Sequence, residues 1–130
     1  MLQPEPIVLY KAAVAGELGE VEAAVDAGAQ VEWANPDGNG RRAVHAASTQ
    51  GHKDVVAFLG SRGADVNAVD NGQWAPLHIA AGQGKASVCT ALLALGADPA
   101  AKDKFGQTAL DWARNKNETE CVAVLEAAMR

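Results

Sequence analysis

The sequence predicts an all-α solenoid of about four stacked helix-turn-helix repeats joined by short β-hairpin fingers. Three observations carry that prediction. Landmarks recur at a spacing of 33, pairing His45 with His78, Gly51 with Gly84, Gly63 with Gly96 and Asp65 with Asp98. A fixed period of this length marks stacked supersecondary units. The best-formed period, Asp70–Ala100, reads as a turn at Asn71-Gly72, a short helix entered by Pro76, a break at Gly84 and a second apolar helix stopping at Gly96. Finally, Val21, Val56, Cys89 and Val122 share one position of the second helix, and Ala24, Leu59, Leu92 and Leu125 another. Stacked copies merge such columns into a core that no single repeat could bury.

Length supports one domain in 130 residues, with residues 1–6 as a flexible lead-in and 7–130 as the repeat array. The repeats divide at about 7–34, 35–67, 68–100 and 101–130. Net charge is −5, and residues 1–34, with one Lys and six carboxylates, hold all of it. No basic stripe of the kind that binds nucleic acid is present, and the acidic balance argues against an anionic membrane surface. No apolar run reaches the 18 or more residues of a membrane span. The start, MLQPEPIVLY, lacks the basic region and apolar run of a secretory signal. Cys89 and Cys121, both inside apolar helical patterns, suit free buried thiols in a reducing compartment. The cytoplasm, or the nucleus, is the expected location.

Pro4 and Pro6 belong to the lead-in, and the first helix is expected near Ile7. Repeat 1 carries Tyr10 where the later histidines stand, an Ala12-Ala13 pair, a break at Gly16 and a stop at Gly28. Its degeneracy and its Glu17, Glu20 and Glu22 fit a terminal cap with a polar outer side and favour the start of the second helix through its dipole. The join to repeat 2 is longer, because Gly16 to Gly51 is 35 residues rather than 33. The two extra residues fall within Trp33–Gly40, and such insertions often lie on a binding face. In repeat 2, Gly60 stands where repeat 3 has Leu93. A helix-interior glycine costs roughly 1 kcal/mol against alanine, so this repeat is expected to be locally soft, and leucine at 60 to stabilise it if there is room. In repeat 3, Ala75 removes a capping hydroxyl, and Gly72 lies one place earlier than Gly40 and Gly106, so a different turn is expected. In repeat 4, Thr108 restores the cap, Asp111 replaces the histidine, Asn117 with Glu120 reads as a capping box for the last helix, and Glu126 puts a polar side chain on the flank. The chain ends where a further stop glycine would fall.

P-L-H-x-A-A at 76–81 followed by G-A-D at 96–98 resembles the ankyrin repeat closely. The resemblance covers about residues 7–129, strongest in repeats 2 and 3 and weakest in repeat 1. It implies that His45 and His78 tie each turn to its helix by hydrogen bonds. It also implies a protein partner, held on the concave face made by finger tips and first helices. The W-A-N-P join at 33–36 is similar to one in the ankyrin segment of Arf GTPase-activating proteins. The alternative function is therefore a targeting or regulatory module of a larger enzyme of that kind, with catalysis outside this chain. Leu59 lies eight residues before Asn67 in the D-V-N hairpin, a context resembling that of asparaginyl-hydroxylase substrates, which makes Asn67 a candidate for hydroxylation.

No catalytic constellation competes with that reading. The histidines fall on repeat positions, and the cysteines lack partners at metal-ligand spacing. No serine or cysteine has an activating context. Gly82-Gln83-Gly84-Lys85 lacks the full spacing of a phosphate loop. The expectation is a monomeric, non-enzymatic adaptor, scaffold or inhibitor without cofactor or metal. The positions left free by stacking are the candidate partner contacts: Asn39 and Arg41, Asn71 and Trp74, Phe105 and Gln107 at the fingers, with Thr49, Gln50, Gln83, Asn115 and Lys116 behind them. Aromatics and arginines dominate binding hot spots, so Trp74, read as an exposed aromatic in a finger tip, is placed at the centre. Trp112 is assigned to packing of the terminal repeat. The acidic first repeat would steer a basic segment to the near edge.

Overall fold

A computed structural model describes residues 5–130. The lead-in expected at 1–6 lies mostly outside them. The helices are α1 (Pro6–Ala15), α2 (Leu18–Asp26), α3 (Ala43–Gln50), α4 (Lys53–Ser61), α5 (Pro76–Gly82), α6 (Ala86–Ala94), α7 (Ala109–Asn115) and α8 (Thr119–Ala128). They pair in sequence, and the pairs stack so that α1, α3, α5 and α7 form one layer and α2, α4, α6 and α8 the other.

Small side chains set the spacing of the first layer. Ala12, Ala47, Ala80 and Ala113 occupy one column and are buried, which lets neighbouring helices approach closely. The second layer supplies bulk through Val21, Val56 and Cys89, and through Leu59, Leu92 and Leu125, all fully buried. Val122, last in the first of these columns, is half-buried. The buried columns form one continuous core from Leu9 to Leu125. Burial pushes the thiol of Cys89 well above its ordinary range, and that of Cys121 upward; both are free.

Two left-handed positions recur in the repeat, and the structure corrects two sequence expectations there. Gly51 and Gly84 end the first helices at φ 83° and 74°. Asn117 takes the same place at φ 58°, so it is not the cap of α8, whose N-cap is Glu118 without a side-chain bond. Asparagine is among the few non-glycine residues that enter this region routinely. At the finger tips Gly40 and Gly106 have φ 71° and 76°, and Gln73 matches them at 61°. The turn of repeat 3 therefore keeps the common geometry despite the displaced glycine.

A third correction concerns Gly60. A Cβ built there would meet Leu95 Cδ1 at 2.6 Å and Cδ2 at 2.8 Å. The end of the half-buried Leu95 side chain, just past the end of α6, occupies that space, so any side chain at position 60 needs Leu95 to move and the site is not an empty hole. The Thr108 cap is as expected: its Oγ1 accepts from the Asp111 N–H at 3.2 Å, and Asp111 Oδ2 accepts from the Thr108 N–H at 3.0 Å.

The fingers are tight turns rather than extended strands. Among the described residues the only β-bridge joins Asn35 to Arg41. Equivalent closures run from the Asp70 N–H to the Trp74 carbonyl at 3.0 Å and from the Asp103 N–H to the Gln107 carbonyl at 2.9 Å. The first turn encloses residues 36–40 and the others 71–73 and 104–106, so the two inserted residues sit at a finger tip, accommodated by a 3-10 turn at Pro36–Gly38.

Candidate functional site

The site grows out of the finger roots. Asn35, Asp70 and Asp103 occupy one repeat position and are buried. One oxygen of each carboxylate closes its own turn: Asp70 Oδ1 accepts from Gly72 N–H at 2.8 Å and Trp74 N–H at 3.0 Å, and Asp103 Oδ1 from Phe105 N–H at 2.9 Å and Gln107 N–H at 3.0 Å. The other oxygen faces the preceding finger. Arg41 Nε donates to Asp70 Oδ2 at 3.2 Å, and Trp74 Nε1 to Asp103 Oδ2 at 2.9 Å. Arg41 and Trp74 are one repeat apart, so both fingers use the same link with different chemistry. Burial would raise the Asp103 carboxyl, but its N–H donors together hold it below the usual carboxylate range.

Asp103 Oδ2 also accepts from Trp112 Nε1 at 2.7 Å. The two indoles stand edge to face, with ring centroids 5.6 Å apart and planes at 86°, the arrangement that the ring quadrupole favours. Trp74 is thus half-buried at a finger root, not an exposed aromatic at a tip as the sequence suggested. Trp112, assigned from the sequence to packing of the terminal repeat, packs against Trp74 and shares its acceptor.

Histidines tie fingers to helices across repeats. His45 Nδ1 accepts from the Arg42 N–H at 3.0 Å, and its Nε2 is 3.1 Å from the Trp74 carbonyl. His78 Nδ1 accepts from the Ala75 N–H at 3.0 Å, and its Nε2 is 3.0 Å from the Ala101 carbonyl and 3.2 Å from that of Gln107. Nδ1 therefore carries no proton, and Nε2–H donates to the next repeat. His52 works in the other direction, with Nε2 3.0 Å from the Val14 carbonyl. In repeat 1, Tyr10, which stands where the later repeats have histidine, meets Trp33 edge-on with ring centroids 6.1 Å apart.

Two adjoining depressions result. A hollow of about 220 Å³ lies between fingers and first helices, lined by Arg41, Thr49, Trp74, Ile79, Gln83, Trp112 and Lys116 among others. A groove of about 300 Å³ crosses the fingers past Asn39, Asn71, Lys104 and Phe105, with Trp74 as its shared wall. Phe105 is 65% exposed. Of the positions singled out in the sequence, Arg41, Thr49, Trp74, Gln83 and Lys116 meet in the hollow, and Asn39, Asn71 and Phe105 in the groove. Gln50 and Asn115 are exposed but line neither depression, and Gln107 is half-buried at the last finger root. Asn67 lies elsewhere: its Nδ2 donates to the Gly96 carbonyl at 3.2 Å, and its Oδ1 accepts from the Asp98 N–H at 2.8 Å, stapling repeat 2 to repeat 3. Sequence reading missed Asp70, Asp103, Ile79 and Lys104. The 33-residue step from Asp70 to Asp103 was the available signal.

Among the described residues no cluster of His, Cys, Asp or Glu could hold a metal ion. No helix among them is long and apolar enough to cross a membrane.

A family model described as "Ankyrin repeats (3 copies)" matches residues 3–70 and 62–128. The RelA-associated inhibitor of Mus musculus is 37% identical over 91 residues, 70% of this chain and 11% of that protein. Protein phosphatase 1 regulatory subunit 12A of Mus musculus is 40% identical over 73 residues, 56% of this chain and 7% of that one. Palmitoyltransferase AKR1 of Candida albicans is 39% identical over 82 residues, 63% and 10% respectively. The chain spans about a tenth of the length of these curated relatives.

Proposed function

The chain belongs to the ankyrin-repeat family, and from that premise we propose that it is a protein-binding module whose partner lies on the hollow face, across the fingers and first helices of repeats 2 to 4. Ankyrin repeats are protein–protein interaction modules, and two of the relatives are named as an inhibitor and a regulatory subunit. The observation that carries the choice of face is the Trp74–Trp112 pair in an open hollow beside Arg41, an aromatic and arginine combination typical of binding hot spots. Both depressions described above are lined by finger and first-helix residues. The chain acts as a monomer without cofactor, by binding and not by catalysis. Its compartment is a reducing one, the cytoplasm or the nucleus, in keeping with the free, buried Cys89 and Cys121.

A second reading makes it the targeting module of a longer protein with catalysis elsewhere. The small share of each relative that it spans supports this, and one relative is named as a palmitoyltransferase.

The test of the face is positional. A photo-crosslinking amino acid is placed at Gln83, on the rim of the hollow, and in a second variant at Lys53, exposed at the start of α4. The expected result is a partner captured from position 83 and not from 53. Capture only from 53 would overturn the assignment.

A further inference from the structure

Resting on the reading that the hollow face binds a partner, we propose that the hollow takes one aromatic or large aliphatic side chain of a partner segment whose flanking residues are acidic. At about 220 Å³ it is smaller than the usual range of small-molecule pockets and is suited to a single side chain. Both indole N–H groups are already given to Asp103 Oδ2. Trp74 and Trp112 therefore offer ring surface rather than donors, with Ile79 beside them. The anchor that matches such walls is apolar.

Indole faces also attract cations, so the charges around the hollow decide between an apolar and a cationic anchor. Its two charged lining residues are Arg41 and Lys116. Arg41 is paired with Asp70; Lys116 is exposed and in no ion pair among the described residues. Lys104, exposed and likewise unpaired among them, borders the neighbouring groove and stands 5.3 Å from the Phe105 ring. The carboxylates of the fingers and of the α7 cap are committed elsewhere, and Glu118, which lies against Gly84 and is in no ion pair among the described residues, does not line the hollow. Asp70 and Asp103 are buried with N–H donors on both oxygens, and Asp111 caps α7. An incoming ammonium would meet the exposed charge of Lys116 and no carboxylate among the residues that line the hollow. Carboxylates flanking an apolar anchor would find Lys116 and Lys104. Exposed pairs of this kind contribute to orientation and on-rate more than to raw affinity. The carboxylates of repeat 1 that would draw a basic segment, Glu20 and Glu22, are on α2, in the other layer at the far end of the stack, where Asp26 is paired with Arg62. At physiological salt, charge acts over about 8 Å, so the two signs do not compete.

The experiment titrates the ¹⁵N-labelled chain with short acetylated peptides. The probes are Glu-Glu-Phe-Glu-Glu, Lys-Lys-Phe-Lys-Lys, Glu-Glu-Ala-Glu-Glu and an alanine peptide bearing one trimethyl-lysine. The expected result is that Glu-Glu-Phe-Glu-Glu shifts the indole signals of Trp74 and Trp112. It should bind at least tenfold more tightly than each of the others, and several-fold more weakly to Lys116→Glu, whose fold is checked by circular dichroism. Equal or tighter binding of the lysine or trimethyl-lysine peptide would overturn the proposal. So would an absence of shifts at the two indoles. If the partner cross-links from position 83 while the acidic peptide fails, the anchor chemistry is wrong and the face reading stands. If nothing cross-links there, both fall.

Discussion

Gln73 and Asn117 hold left-handed backbone that the other repeats assign to glycine. A side chain in that region costs roughly 1–2 kcal/mol, less for asparagine. Gln73→Gly should therefore stabilise the chain by about 1 kcal/mol and Asn117→Gly by less, read as the midpoint of urea unfolding at constant slope. No gain at position 73 would mean that the turn relaxes when it is free to do so. His45 makes the chain sensitive to acid. Burial holds its pKa below the ordinary 6.5 despite its bond to the Trp74 carbonyl, and its Nδ1 accepts an N–H and has no place for a proton. Its contribution is full above the unfolded value and declines as pH falls below it, because the unfolded chain then binds the proton first. Stability should accordingly fall as pH drops below the ordinary 6.5, and the fall should shrink in His45→Gln. An unchanged pH profile in that variant would contradict the account. At this scale the sequence was readable wherever a residue type has one mechanical use, such as Thr108 at a cap or the glycines that end helices. It misled at Gln73, where the bonds that Asp70 makes across the turn hold the common geometry without a glycine, and at Asn117, where one residue type serves both as a cap and in left-handed backbone.

The elements are coupled through two kinds of contact that the period alone does not display. One is the finger-to-finger link, from Arg41 to Asp70 and from Trp74 to Asp103. The aspartates were visible at their 33-residue step, but which way their second oxygen faces is a property of stacked fingers. Asp103→Asn should cost about 1.5–3 kcal/mol, the range for hydrogen bonds to a charged acceptor. An amide that keeps its oxygen on the backbone N–H groups turns an NH₂ toward two indole donors. Chemical denaturation measures the loss, and the indole signals of Trp74 and Trp112 should move together. A neutral substitution would show that the carboxylate does not organise the pair. The other contact is Leu95 against Gly60. Gly60→Leu alone should lower the melting temperature, at a cost of about 1–3 kcal/mol for overpacking. Combined with Leu95→Ala it should cost less than the sum of the two single changes, with a coupling of at least about 0.5 kcal/mol. Strict additivity would place the two side chains apart.

Over the whole molecule, order along the stack was legible because each repeat contacts its neighbours only, and one period read correctly gives all four. The depth of the face was not. Phe105 could be placed on a finger from its position, but the half-burial of Trp74 and the joining of Trp112 to it depend on the distance between adjacent repeats. That distance is set by the alanine column of the first layer, not by the residues of the site. Stacking buries the columns between neighbouring repeats and leaves the fingers, the ends of the first helices and the outer side of the second helices open; the hollow lies in the first of these openings. Trp74→Ala would mix loss of contact with loss of the Asp103 network, so it tests the face poorly. Gln83 is exposed on the rim and makes no side-chain hydrogen bond among the described residues, which makes it the cleaner probe. The most direct measurement is the affinity of the cross-linked partner for Gln83→Arg and for Lys53→Glu, both folded by circular dichroism. The account predicts at least a tenfold loss for Gln83→Arg, about 1.4 kcal/mol, and no change for Lys53→Glu; the reverse pattern would contradict it.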